Sequence, residues 1–295
     1  MAHGGTHEVR EYYEVNTRAF RWLGHGRDYG TIRRAVWAPG VQSRSAAFRY
    51  VDERIANQLR TTAERLALHV APRVLDFGCG LGASLIALAE RGPIDGLGIT
   101  LSALQARLAS ERIAARGLGE QLRCVEGDFL QLHTALAPAH LVFAIESFVH
   151  SSTPEAFFEA AARQLLPGGS LVVCDDFEAE AGDRPRSARE VRWLSEFRHG
   201  WVAASVVPFS HAKAAATRAG LSLQSSECLN AYLELDRPRD RALAWFLKLA
   251  RPFRPRNHRF RSWLGGHALQ RGLSTGLIEY RYAVWHKPAP SPSAP

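Results

Sequence analysis

The run Val74-Leu75-Asp76-Phe77-Gly78-Cys79-Gly80-Leu81-Gly82 constrains this 295-residue chain more than any other stretch. A segment of strand character stops at three alternating glycines, and a helical pattern begins at about Ala83. Glycine lets the backbone come close to a ligand, and a helix N-terminus offers N–H groups and partial positive charge, so an anionic part of a nucleotide-like ligand suits this turn. A glycine loop alone is unspecific, because dinucleotide enzymes use similar ones. Asp76 decides between them: an acid directly before the loop repels a pyrophosphate but suits a ligand with an ammonium group.

Strand-like runs at 74–77, 96–99, 141–145 and 171–174 alternate with helical patterns at 83–91, 102–117 and 154–165. This alternation predicts an α/β fold, a mostly parallel sheet covered by helices on both faces. The late run 277–285 alternates as an antiparallel or edge strand does. The pattern divides the chain into a helical cap (1–60), a ligand-binding core (61–178) and a helical insertion above the sheet (179–212). A C-terminal part of the core (213–288) follows, and then a Pro/Ser/Ala tail (289–295) with no means of packing.

The segment 74–82 resembles the first motif of the class I S-adenosylmethionine methyltransferases, of the form acid-x-Gly-x-Gly-x-Gly. The resemblance implies a Rossmann-like methyltransferase sheet and S-adenosylmethionine as cofactor, with Asp76, Gly78, Cys79 and Gly80 facing its methionine part. Where most such enzymes carry an acid for the ribose, this chain has Gly98-Ile99-Thr100-Leu101-Ser102-Ala103-Leu104-Gln105. That is similar to the branch holding sterol, tocopherol and prenyl-diphosphate C-methyltransferases and cyclopropane synthases, and implies that Thr100 and Gln105 bind the ribose. On a generic helix Gln105 would be solvated. By the same resemblance Asp128 meets the adenine amino group, and Phe129 and Ile145 supply apolar contacts; as an ordinary residue Asp128 would be a surface turn.

Strand 141–145 runs into Glu146-Ser147-Phe148-Val149-His150, at the sheet edge where ligands of such folds bind. Related C-methyltransferases look similar here, which implies a catalytic Glu146, with His150 as a second base, a partner of Glu146 or a substrate contact. A core histidine is the bland reading. An alkene carbon attacking a methyl group leaves a carbocation, and a nearby carboxylate stabilises that cation and accepts its proton. Aromatic faces add cation–π stabilisation; the candidates are Tyr12, Tyr13, Trp37, Phe148, Trp193, Phe197 and Trp201. The expected reaction is C-methylation of an isoprenoid alkene, a prenyl diphosphate included, with a magnesium ion if a diphosphate is present. O- or N-methylation of another small metabolite is the alternative, with His150 the favoured base, and RNA methylation is the third reading.

The net charge of +8 is unevenly placed. Residues 71–178 carry −6, which suits a cationic cofactor, whereas 1–70 carry +4 and 237–271 carry +9. The latter segment is a basic arm of arginines interleaved with aromatics. It is open to three readings: diphosphate capture, an amphipathic membrane surface, or RNA binding. A solvated arginine-rich face is the plain alternative. The absence of an Asn/Asp-Pro-Pro-aromatic signature after 141–145 argues against DNA modification. The partner expected is a small apolar molecule with an anionic group. Peripheral membrane contact is allowed, but no run approaches the ~20 apolar residues of a membrane span. Four scattered cysteines and the unpaired His133 and His140 indicate neither disulfides nor a metal site. A cytoplasmic, reduced setting is the expectation.

Overall fold

A computed structural model describes residue 9 and residues 33–132, 136–182, 185–250 and 258–289. Seven strands form one sheet in the order β3-β2-β1-β4-β5-β7-β6. They are β1 (Arg73–Phe77), β2 (Asp95–Thr100), β3 (Leu122–Glu126), β4 (Ala139–Ile145), β5 (Leu165–Glu178), β6 (Ser222–Cys228) and β7 (Ile278–His286). The first five are parallel, and β7 is antiparallel to its neighbours β5 and β6. The predicted late antiparallel strand is therefore present, in the sheet's interior and not at an edge.

Two strands escape the sequence pattern. In β3 only Leu122 and Cys124 are buried, and in β6, rich in serine, no residue is fully buried. Both lie at sheet edges, where one neighbour and partial solvation remove the apolar run that marks a central strand. The central strands are explicit in the sequence because they are covered on both faces: β4 and β5 are buried along most of their length.

The helices are α1 (Arg44–Arg65), α2 (Ala83–Ala89), α3 (Ala103–Ala114), α4 (Pro154–Gln164), α5 (Ala188–Trp201), α6 (Phe209–Arg218), α7 (Pro238–Ala250) and α8 (His258–Thr275). Their starts follow local chemistry. Ser43, Ser102 and Thr153 accept backbone N–H groups as N-caps, with Pro154 in the first turn of α4. Ser187 and Glu190 form a capping box that opens α5. Helix α1 buries Val51, Ile55 and Leu59 and packs on β4 and β5, so it belongs to the layer covering the sheet. Between sheet and helices lies an aromatic core, in which Phe148 packs on Phe157 (5.0 Å) and Phe177 (5.3 Å).

Helices α5 and α8 cross with their backbones in contact. A Cβ added to Gly200 would come within 2.8 Å of the Gly265 Cα and 2.5 Å of the Arg261 carbonyl. Only glycine permits this approach, and it ties the insertion to the basic arm beside Trp201. No described helix is long and apolar enough to cross a membrane.

Candidate active site

The strand order reverses at β1 and β4, and a crevice at the C-terminal ends of such strands is where this architecture binds ligands. There a cavity is lined by Asp76, Gly78, Cys79, Gly80, Thr100, Gln105, Phe129, Ile145, Glu146, His150 and Trp201, residues the sequence singles out. The Gly78 and Cys79 N–H groups donate to the Ile99 carbonyl at 2.9 and 3.0 Å, fastening the glycine loop to β2. Gly78 has φ +94°, and an added Cβ would lie 2.4 Å from the Ser147 Cβ. Gly78→Ala should therefore lower stability by about 2 kcal/mol or more and shift the loop off the cavity. Denaturant unfolding checks this; an unchanged midpoint would mean that the loop relaxes freely.

Asp76 is 3% exposed and hydrogen-bonds no described residue. Burial holds its carboxyl well above the usual carboxylate range, and the charge of Arg33 only partly opposes this. Arg33 itself forks onto Asp52 and donates to the Ser84 hydroxyl at 2.8 Å. A cation in the cavity would complete the surroundings of Asp76. Next to it the Thr100 hydroxyl donates to the Gln105 side-chain oxygen at 2.7 Å, with both residues buried. This fixes the orientation of the Gln105 side chain at the cavity wall. The donor set fits an ammonium-bearing nucleoside such as S-adenosylmethionine.

Glu146 ends β4 with φ +52°, a left-handed conformation that costs a non-glycine residue about 1–3 kcal/mol and marks functional sites. Its backbone N–H is held by the Cys174 carbonyl at 2.9 Å, and its Oε1 accepts from the Arg34 backbone N–H and the Tyr280 hydroxyl, both at 3.0 Å. The Arg34 guanidinium lies 3.9 Å from the same oxygen, forks onto Asp176 at 3.0 and 2.7 Å, and stacks 4.6 Å over the Tyr280 ring. Burial pushes the Tyr280 phenol well above its ordinary range, so it remains a donor. The adjacent acids hold the Arg34 guanidinium firmly protonated.

His150 places Nδ1 3.2 Å from the Val202 carbonyl, to which the Nδ1–H tautomer can donate. Val202 is a β-branched residue at φ +53°, a second strained backbone beside the cavity. Burial pushes the His150 imidazole down to about 4, against weaker opposition from the Val202 carbonyl and Glu146. The unfolded chain therefore takes up this proton first as pH falls: the stability linked to neutral His150 is complete above about pH 6.5 and is lost toward pH 4. His150→Gln should remove about 2–3 kcal/mol of that acid-side loss, read as a smaller difference between urea midpoints at about pH 7 and pH 4.5. Equal pH dependence in both proteins would contradict the assignment.

Other expected contacts fall elsewhere. Asp128 does not line the cavity: its carboxylate accepts from the Leu130 N–H at 2.9 Å and caps a short 3₁₀ turn, whereas its neighbour Phe129 lines the cavity and stacks on Phe77. Phe148 is a core residue, turned inward by the 3₁₀ turn Phe148–His150. Phe197 is buried against Trp201, Trp193 is buried with Arg271 over its ring, and Trp37 packs with Ala35, Ala47 and Phe48. Among the described aromatic substrate candidates Trp201 alone faces the cavity, its indole N–H donating to the Ser262 carbonyl at 3.2 Å. Tyr12 and Tyr13 lie outside the described residues.

Sequence reasoning misses Arg34, Asp175, Asp176 and Tyr280, all in or around the site. Two acids directly after the apolar run Leu171–Cys174 were the available signal, since a buried strand seldom ends in adjacent carboxylates without a cation to receive them. Among the described residues, no arginine of 237–271 lines the cavity. Arg237 pairs with Glu234 and Asp240, and Arg271 lies 3.6 Å from Asp236.

A family model described as a methyltransferase domain matches residues 74–169. The chain is 27% identical over 247 residues to a sterol 24-C-methyltransferase of Aspergillus fumigatus, covering 83% of this chain and 60% of that protein. It is 32% identical over 145 residues to the erythromycin 3''-O-methyltransferase of Saccharopolyspora erythraea, covering 49% and 45% of the two chains. The chain thus spans about half to three fifths of the length of these relatives. The solved structure of geranyl diphosphate C-methyltransferase from Streptomyces coelicolor, in complex with Mg2+, geranyl diphosphate and S-adenosyl-L-homocysteine, superposes with a TM-score of 0.65 at 15% identity, covering 97% of this chain and 99% of that one. The sheet order and these matches agree: residues 74–169 match a methyltransferase domain, and the fold is the one shared by the solved methyltransferase structures.

Proposed function

We propose that this protein is an S-adenosylmethionine-dependent C-methyltransferase acting on an isoprenoid alkene. The observation that carries the reading is Glu146: a carboxylate on a strained backbone, aimed into the cavity and held by two hydrogen bonds beside the Asp76 end of the site. A bound cofactor supplies an electrophilic methyl group. Asp76 would neutralise the ammonium of its methionine part, and Thr100 and Gln105 would face its ribose. Glu146 faces the carbon that becomes cationic and takes up the proton the product loses. Arg34 and Tyr280 fix the position of that carboxylate. Carboxylate catalysis of this kind contributes about 10²–10⁴-fold in rate.

His150, neutral through the physiological range, lines the substrate end of the cavity in this reading. A second reading, O- or N-methylation of another small metabolite, is supported by the similarity to the erythromycin O-methyltransferase. It requires a base near neutrality, a role that the depressed imidazole of His150 fills poorly. For the prenyl-diphosphate form of the substrate, with its magnesium ion, the cavity arginines Arg33 and Arg34 are already paired with Asp52 and Asp176, so an uncharged prenyl chain is the form this cavity suits better. The test is incubation of purified protein and methyl-labelled cofactor with geranyl or farnesyl diphosphate, with an uncharged prenyl chain, and with phenols and amines. Label in a prenyl compound is the expected result. Turnover of a phenol or amine, with none of any prenyl substrate, would replace the first reading by the second.

A further inference from the structure

The basic arm contributes nothing to the cavity wall among the described residues, yet it carries four of the exposed large hydrophobic side chains described. Trp245 is 69% exposed, Leu249 55%, Phe246 48% and Trp263 46%; among the described residues only three other large hydrophobic residues are comparably exposed. They converge on one surface, for Trp245 and Leu249 are one turn apart on α7, and Phe246 meets Trp263 of α8 with ring centroids 5.9 Å apart. Leu247 and Phe260 are buried on the inner side, so the outward apolar face is additional to the one that packs. A patch of this kind on a monomer marks an interaction surface.

Arg239, Arg241 and Arg261 are exposed on the same two helices, and residues 237–271 hold ten basic side chains against one acidic. One hydrogen bond links the helix of the patch to the cavity wall. Trp201, which lines the cavity, donates to the carbonyl of Ser262, the residue before Trp263.

We propose that the face of α7 and α8 carrying Trp245, Phe246, Leu249 and Trp263 docks on an anionic lipid bilayer, from which an apolar substrate reaches the cavity. Tryptophan and phenylalanine insert at the headgroup boundary, while arginines meet anionic headgroups. Charge selects this occupant. A second copy would bring the same +9 segment against itself, and a nucleic acid would satisfy the arginines but leave the aliphatic Leu249 uncovered. The delivery of substrate rests on the isoprenoid reading above; the docking does not.

The experiment is co-sedimentation of the full chain with vesicles of equal parts phosphatidylglycerol and phosphatidylcholine, followed in parallel by tryptophan emission. Neither cofactor nor turnover is needed, so failure of docking and failure of the methyl-transfer reading are separately visible. Wild-type protein should bind with a blue-shifted emission, and bind pure phosphatidylcholine at least about tenfold more weakly. The double variant Trp245→Ser/Trp263→Ser should lose about tenfold or more in vesicle affinity, with unchanged circular dichroism and unchanged turnover of a water-soluble substrate. Arg239→Glu/Arg241→Glu should lose affinity for the anionic vesicles only. Absence of vesicle binding, or equal binding by the tryptophan variant, would overturn the proposal. So would concentration-dependent self-association or RNA binding that the tryptophan substitutions abolish while vesicles are ignored.

Discussion

Replacing Glu146 with Gln should lower methyl transfer by about 10²–10⁴-fold while leaving cofactor affinity within about twofold. The substitution isolates charge from geometry. The oxygen of a glutamine amide can still accept from the Arg34 N–H and the Tyr280 hydroxyl, so the side chain keeps its anchors and the strained backbone keeps its supports. What is removed is the negative charge beside the developing cation and the group that accepts its proton. Single-turnover rates and calorimetric titration of the cofactor separate the two effects. Full turnover by the variant would remove Glu146 from the reaction, and loss of cofactor binding would make it a structural residue.

Asp76→Asn should raise the dissociation constant for S-adenosylmethionine by about 10²-fold or more, since it leaves a bound ammonium without its buried counter-charge. The same change should stabilise the cofactor-free protein against urea. Burial alone makes the carboxylate unfavourable there, and an amide does not carry that cost. Opposite signs in binding and stability distinguish a ligand-holding acid from a structural one. A variant that binds cofactor normally, or that is destabilised without it, would contradict the role assigned to Asp76.

The parts of the fold that were legible in the sequence are those fixed by short-range chemistry. Val74–Gly82 announces strand, loop and helix because the glycines, Asp76 and the helix beyond them are contiguous. The same holds for β4 and the Glu146 that ends it. The network around Glu146 was not legible, because its members are far apart in the chain. Arg34 and Asp176 are 142 residues apart, Glu146 and Tyr280 134, and only the insertion of β7 beside β5 brings Tyr280 to the site. Aromatic residues were legible as apolar but not as to which side they face. Phe148, two residues after Glu146, reads as a cavity residue from spacing, yet the 3₁₀ turn that brings His150 into the cavity sends Phe148 into the core. The +9 of residues 237–271 leaves diphosphate capture, a membrane surface and RNA binding open in the sequence, whereas the structure places the exposed Arg239, Arg241 and Arg261 on the same two helices as Trp245 and Trp263.

The central claim is that Glu146 serves methylation at carbon. It is tested most directly by the atom that carries the methyl group after turnover with ¹³C-methyl-labelled cofactor, read by NMR on the isolated product. The account predicts the label bonded to a former alkene carbon of an isoprenoid, with a proton lost from that carbon or from another carbon next to the cationic centre, and product formation about 10²–10⁴-fold slower in the Glu146→Gln variant. A label bonded to oxygen or nitrogen, with Glu146→Gln still active, would contradict it.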